Sequence, residues 1–212
     1  MLYNRNGDSM KCKQPMLSKL EIKNTIDHEF YANEFNGIIE TLNYDDIKIY
    51  ECVFKQVLFH NSTITNSDFM DVIFENCDCS NTDFSKSIFH RVLFKNCRMT
   101  GVDFTDCSFV DCKFLNCKLN LSNFSASHLK NSRFIESDAS ESRFVQTSFK
   151  NVELNHMNFN ESEFFHTSLK QLDFSTSEIY GISVTPESLK GIIVNEYQAL
   201  ALSRLLGIII KE

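Results

Sequence analysis

From Asp45 to Thr185, large apolar residues recur every five positions without a break. Phe54, Phe59, Phe69, Phe74, Phe84, Phe89, Phe94, Phe104, Phe109, Phe114, Phe124, Phe134, Phe144, Phe149, Phe159, Phe164 and Phe174 share one frame, and Phe30, Phe35 and Phe165 are the phenylalanines outside it. The remaining slots hold Ile49, Ile64, Cys79, Met99, Leu119, Leu129, Ala139, Leu154, Leu169, Ile179 and Val184. Two residues before each slot the side chain is nearly always small or β-branched, as at Cys52, Val72, Cys97, Ser122 and Ser142. A helix repeats at ~3.6 residues and a strand at ~2, so a fixed period of five belongs to neither and marks a solenoid. In each unit the large plug and the small residue before it point inward, and the other positions point out. Asn, Asp or Gly often stands two places after the plug, as at Asn61, Asn81, Gly101 and Asp111. Those residues tolerate the left-handed conformation of a tight type II turn, which predicts a corner at that position.

The flanks break the frame. Residues 1–44 are expected to form a polar tail followed by a cap. Met16–Ile22 reads as a short helix or capping strand, and Glu29–Leu42 is apolar but out of frame. A solenoid end exposes unpaired backbone, so Met16–Tyr44 is assigned to cover it. After the repeat (45–185), residues 186–212 read as a second cap. Pro186 opens a helical turn, Gly191 ends it, and Ile192–Val194 is a short extended run. Asn195 caps a helix over Glu196–Leu206 that closes at Gly207, and Ile208–Ile210 reads as a terminal strand.

Several units, among them Ser67-Asp68-Phe69-Met70-Asp71, Thr82-Asp83-Phe84-Ser85-Lys86 and Val102-Asp103-Phe104-Thr105-Asp106, fit a small–Asp/Asn–Leu/Phe–polar–polar pattern. In this the chain resembles pentapeptide-repeat proteins over about two thirds of its length. The resemblance implies an all-β fold, a right-handed quadrilateral β-helix with four units per coil. Twenty-eight units from Ile49 to Val184 then make about seven coils, a rod roughly 34 Å long at ~4.8 Å per coil.

Composition narrows the chemistry. A net charge of −7 opposes a direct nucleic-acid binder that works by neutralising phosphates. Met1–Lys13 has no apolar run and no stretch approaches a membrane span, so a cytoplasmic protein with reduced thiols is expected. Of the eight cysteines, Cys52, Cys77, Cys97, Cys107, Cys112 and Cys117 occupy the small inward slot and read as core filler. Cys77-Asp78-Cys79 is a close pair with no second pair to complete a metal site. Ser and Asp are abundant because the repeat demands them, so a Ser/His/Asp triad carries no information. No enzyme, metal or cofactor is expected.

Function is therefore expected on the outer surface. Asp45–Phe84 carries eight acids against Lys48 and Lys55. Asp68, Asp71, Asp78, Asp83, Asp103, Asp106 and Asp111 are the candidate acidic partner-binding face. The resemblance is to the loop-free members of the group that interacts with topoisomerases and confers fluoroquinolone resistance. It implies a DNA mimic bound to DNA gyrase or topoisomerase IV, the alternative being a scaffold for an unrelated protein. It also implies a homodimer joined end to end through the C-terminal segment, with Tyr197, Leu200, Leu202, Leu205, Leu206, Ile208, Ile209 and Ile210 as the candidate interface. Outward Val53, Ile73 and Leu93 form an apolar column, which Glu29–Leu42 is expected to cover.

Overall fold

The computed structural model describes residues 2–3, 9–10, 29–31, 34–38 and 42–211. The expected helix or strand at 16–22 lies outside them, as does most of the expected tail. Within the tail, Leu2–Tyr3 pairs antiparallel with Ser9–Met10.

A five-residue unit that turns a corner needs four units to close a square, so residues twenty apart stack. Phe54, Phe74, Phe94, Phe114 and Phe134 follow one another in parallel register. Phe69, Phe89 and Phe109 do the same on the preceding side. The result is a parallel β-solenoid of about eight coils with a short C-terminal helix. Two adjacent sides are seven-stranded sheets. The first runs from Glu29–Tyr31 to Ser148–Lys150, and the second from Glu34–Ile38 to Glu153–Asn155. The third and fourth sides are held largely by single bridges, such as Asp78 to Arg98 and Asp83 to Asp103.

The coil beyond the frame comes from Glu29–Ile38. Phe30 pairs with Ile49 and Phe35 with Phe54, one residue short of the usual spacing, and the register shifts between Asn36 and Ile38. This stretch continues the ladders. It does not lie over the apolar column as expected: its own Glu34 stands next to Val53, and Ile73 and Leu93 follow in line.

The interior is a set of ring stacks. Phe74 and Phe94 lie 4.8 Å apart at 12°, Phe124 and Phe144 5.0 Å apart at 6°. Rings on neighbouring sides meet edge-on, as Phe84 and Phe89 do at 5.9 Å. Each buried Phe contributes about 1.5–3 kcal/mol, and each well-placed ring pair about 0.5–1.5 kcal/mol more.

The small slot has a polar reason as well as a steric one. Thr82, Ser127 and Ser142 donate their hydroxyls to the carbonyls of Phe59, Phe104 and Leu119, the plugs one coil earlier. Cys97 and Cys107 donate their thiols to Phe74 and Phe84 in the same way. Among the described residues no buried side-chain nitrogen or oxygen lacks a partner.

Corners fall where expected. From Asp46 to Gln171 the residue two after the plug has positive φ, including Lys86, Arg91, Leu121 and Ala126 as well as the Asn and Asp positions. On the third and fourth sides the corner is closed by a turn hydrogen bond, for example from Ser122 N–H to the Leu119 carbonyl at 3.0 Å.

The solenoid ends in a 3₁₀ turn at Pro186–Leu189, a bridge from Asp173 to Ile193, and helix α1 at Glu196–Ser203. A second 3₁₀ turn at Arg204–Leu206 stops at Gly207, whose φ is 72°. Ile208–Ile210 is not a strand. Its β-branched composition favours one, but no sheet edge pairs with it.

Candidate functional site

Each side of the rod presents two outward columns along its strands and one along its corner. The stacking register assigns every acid a place. Asp68 lies on the first side, Asp78 on the third, and Asp83 and Asp103 on the fourth. Asp71 and Asp111 stand on the corner between the first and second sides, with Arg91 between them, and Asp106 stands on the corner after the fourth. The seven candidate acids therefore do not form one face. They are spread over three sides and two corners.

Several are also neutralised. Arg91 grips Asp71 through two bonds of 2.6 and 2.7 Å. Arg98 approaches Asp78 at 3.9 Å, and His90 stands 3.7 Å from Asp111, an ion pair only when the imidazole is protonated. On the second side Lys95 meets Glu75 at 2.8 Å, and that hydrogen bond holds the Glu75 carboxyl below the usual range. These alternating pairs follow from spacing: a base twenty residues from an acid lies one coil away, within side-chain reach.

The fourth side is different. Asp83 and Asp103 are direct neighbours on adjacent coils. Each fixes its own turn, Asp83 accepting from Ser85 N–H at 2.8 Å and Asp103 from Thr105 N–H at 2.8 Å. At the N-terminal end of this side stand Asp45 and Asp46, and Asp106 lies on its corner. Hydrogen bonds from Asn66 and Thr65 hold the Asp45 carboxyl below its ordinary value, so it stays ionised. Lys86 is the base among these positions. Asp45, Asp46, Asp83, Asp103 and Asp106 thus make the most coherent anionic surface. Asp45 and Asp46 were missing from the candidate face, although the twenty-residue register, extended one unit back from Ile49 to Tyr44, places them there.

The seven described cysteines are all buried. Burial pushes the Cys112 thiol up to about 12. Cys97 is likewise pushed up to about 12, first by its contact with Cys117 and then by burial. Such thiols are poor nucleophiles and poor metal ligands. Among the described residues no group of three or more His, Cys, Asp or Glu could hold a metal ion. The apolar space at the N-terminal end of the core, beside Phe30, Phe35 and Tyr44, measures about 20 Å³, too small for a substrate.

At the other end, Tyr197, Leu200, Leu205, Leu206, Ile208, Ile209 and Ile210 are exposed, Ile209 at 90%. Leu202 is the exception: it turns inward and joins the core. No described helix is long and apolar enough to cross a membrane.

The sequence model of one family, the pentapeptide repeat region, matches residues 67–144 and 107–184, more than half of the chain. Among solved structures, trypsin-treated QnrB1, a plasmid-mediated fluoroquinolone resistance protein, is 21% identical, with 84% of this chain and 99% of that chain covered and a TM-score of 0.35. HetL, a pentapeptide repeat protein involved in heterocyst differentiation regulation in the cyanobacterium Nostoc, is 10% identical over 82% and 92%, with a TM-score of 0.44. A pentapeptide repeat protein of the Arabidopsis thaliana thylakoid lumen is 14% identical over 69% and 71%, with a TM-score of 0.21. No curated protein sequence matches this chain.

Proposed function

The chain belongs to the pentapeptide-repeat family, and from that footing we propose that it is a non-catalytic, cytoplasmic DNA mimic that binds a type II topoisomerase such as DNA gyrase. The supporting observation is the anionic strip on the fourth side. Asp83 and Asp103 stack on successive coils, with Asp45, Asp46 and Asp106 beside them. Carboxylates fixed along a straight rod offer a basic DNA-binding channel the sign of charge it is built for. Members of the family that protect topoisomerases from fluoroquinolones are rods of this kind, and the uninterrupted frame here matches the loop-free ones. In the same reading the exposed residues at the C-terminal end join two rods into a homodimer.

One observation favours a second reading, a scaffold for an unrelated protein. The Asp71–Arg91, Glu75–Lys95 and Arg98–Asp78 pairs give much of the rod a neutralised surface, unlike a phosphate backbone.

Supercoiling and cleavage assays with purified gyrase, with and without ciprofloxacin, separate the two. The DNA-mimic reading expects fewer drug-stabilised breaks as the protein is titrated in, and loss of that effect in an Asp83→Lys/Asp103→Lys variant. No change in breaks or in supercoiling removes it and leaves the scaffold.

A further inference from the structure

Bases on this rod mostly stand one coil from an acid, as Arg91 does from Asp71, Lys95 from Glu75 and Arg133 from Glu153. One outward column of the first side breaks that rule. Its C-terminal half is Lys130, Lys150, Lys170 and Lys190, each twenty residues from the next and all exposed. Lys130 and Lys150 are direct neighbours in parallel register. Lys190 follows Lys170, because Leu169 N–H donates to the Ser188 carbonyl at 3.1 Å and Gln171 N–H to the Gly191 carbonyl at 2.8 Å. Among the described residues none of the four lysines makes an ion pair. Glu153 and Asp173 belong to the second side, and Glu187 to the 3₁₀ turn. The excess is confined to this half: upstream on the same side Lys48 stands next to Asp68, and Arg91 holds Asp71. Like charges stacked on adjacent strands repel, so the row costs stability and the fold gives no reason for it.

The same stretch holds a break in the backbone ladder. Both seven-stranded sheets stop at Ser148–Lys150 and Glu153–Asn155, although the solenoid goes on. Asn131 N–H donates to the Lys150 carbonyl at 2.9 Å, and Ser148 N–H to the Ser127 carbonyl at 2.9 Å. One coil later, among the described residues, neither the bond from Asn151 N–H to the Lys170 carbonyl nor that from Ser168 N–H to the Thr147 carbonyl is made. Leu172 is the cause. It is buried in the inward slot that Cys112, Ser132 and Val152 fill in the coils before it, and its bulk keeps this corner from closing. On the third and fourth sides the same coils stay joined, at Asn158 to Glu178 and Glu163 to Ser183. Asn151, exposed at the corner beside Lys150, therefore turns a backbone donor toward an opening.

We propose that the lysine row and this opening form the docking strip for an acidic segment of a partner protein, held extended along the rod. Two independent features call for an anion: four lysines with no acid of their own, and a backbone N–H released beside them. The strip's shape selects the class. From Lys130 to Lys190 is three coils, or ~15 Å, which about five extended residues span. The outward residues beside the row are His128, Ser148 and Ser168, so no aromatic platform stacks a base and no apolar side chain enters a bilayer. A net charge of −7 also repels a long polyanion from all but this strip. The inference stands apart from the topoisomerase reading, since the strip is on the first side and the anionic surface on the fourth.

Fluorescence anisotropy of a labelled peptide of alternating Glu and Ser, titrated with the full-length protein at low salt, tests it. The peptide should bind saturably. A Lys150→Gln/Lys170→Gln variant should bind about tenfold more weakly, since two exposed ion pairs, each modest alone, are lost together. A Lys86→Gln/Lys118→Gln variant makes the same change in net charge elsewhere on the rod and should keep the wild-type affinity. All four of these lysines are exposed, so both variants retain the fold. Saturating peptide should also slow hydrogen exchange at the Asn151 amide, which the free protein leaves without its ladder bond. No binding by the wild type, equal affinities in the two variants, or unchanged Asn151 exchange each overturn the proposal. A single-stranded oligonucleotide or phosphatidylserine vesicles that bind more tightly than the peptide, and lose binding in the Lys150/Lys170 variant, also overturn it and name the other class.

Discussion

Asn195 and Gln198 hold each other. The Gln198 N–H donates to Asn195 Oδ1 at 3.0 Å, and the Asn195 N–H donates to Gln198 Oε1 at 2.9 Å. The same Gln198 side chain then donates its Nε2 to the carbonyls of Phe174 and Ser177 at 2.9 and 2.6 Å. One residue thus starts helix α1 and closes the last coil, where no further strand supplies N–H groups.

Replacing Gln198 by alanine keeps the backbone N–H bond to Asn195 Oδ1 but removes the reciprocal bond to the Asn195 N–H and both bonds to the last coil. The Phe174 carbonyl keeps its bond from the Ser177 N–H, but the Ser177 carbonyl is left unpaired, which costs about 1–3 kcal/mol. Because a solenoid contributes stability coil by coil, the loss should be local. Hydrogen exchange of α1 and of Phe174–Ser177 should accelerate in Gln198→Ala while coils around Phe94 keep their protection. Uniform protection across the chain would show that Gln198 does not anchor the cap.

Leu121 is a corner residue with φ of 62°, although leucine disfavours the left-handed region by about 1–2 kcal/mol. The same corner column holds Asn61, Asn81 and Gly101, and the Asn81 amide donates to Asn61 Oδ1 at 3.4 Å. Leu121 is 54% exposed, so little packing offsets the strain. Leu121→Asn should therefore raise Tm by roughly 2–4 °C, about 1 kcal/mol for a chain of this length. A lower Tm would mean that the side chain packs more than its exposure implies.

The buried thiols make alkaline stability predictable. An unfolded cysteine ionises near its ordinary value of 9.0, whereas Cys112 in the fold ionises at about 12. Its stabilising contribution is whole below pH ~9 and is lost as pH rises through the folded value. Within that window the unfolded state has released a proton that the native state still binds. The slope is about −1.4 kcal/mol per pH unit for such a group. Urea midpoints should fall between pH 9 and 11, and Cys112→Ser should fall less steeply. Serine suits the site because Ser132 fills the same inward slot one coil on, its Oγ accepting from the Cys112 N–H at 3.2 Å. Parallel slopes for the two proteins would rule out Cys112 as a contributor.

Much of this was legible because one period controls both packing and surface. The five-residue frame located the plugs, the small slot and the corners, and multiplication by four placed Asp83 beside Asp103. It failed where the period slips. Phe30 and Phe35 stack at a spacing of nineteen, so a search for fives leaves a genuine coil looking like a separate cap. The acidic face failed for a different reason. Acids close in sequence fall on different sides of a square rod, so Asp78 and Asp83 point apart however near they are along the chain. Gln198 could have been found, since Asn-x-x-Gln before an apolar run is a capping-box signature. Its bonds to the last coil could not, because they depend on how α1 docks. The orientation of Leu202 was hidden for the same reason: α1 has apolar residues on several sides, and its pattern does not say which one faces the core.

The orientation of α1 sharpens the proposal of an end-to-end dimer. Leu202 is 7% exposed and belongs to the chain's own core, whereas Leu205 is 48% and Ile209 90% exposed. The two classes should behave oppositely. In a twofold interface every substitution acts twice, and burying an isoleucine contributes about 1.5–3 kcal/mol. Ile209→Asp should therefore weaken self-association at least about a hundredfold without lowering the monomer's Tm, and Leu205→Asp should do likewise. Leu202→Asp should instead loosen the cap and expose α1 to proteolysis, because it places a charge in the core. Sedimentation velocity decides the matter, with the 24.5 kDa chain as the reference. A wild-type protein that sediments at that mass at every concentration would make the apolar end a surface for some other partner. A dimer that survives Ile209→Asp and Leu205→Asp together would place the interface elsewhere on the rod.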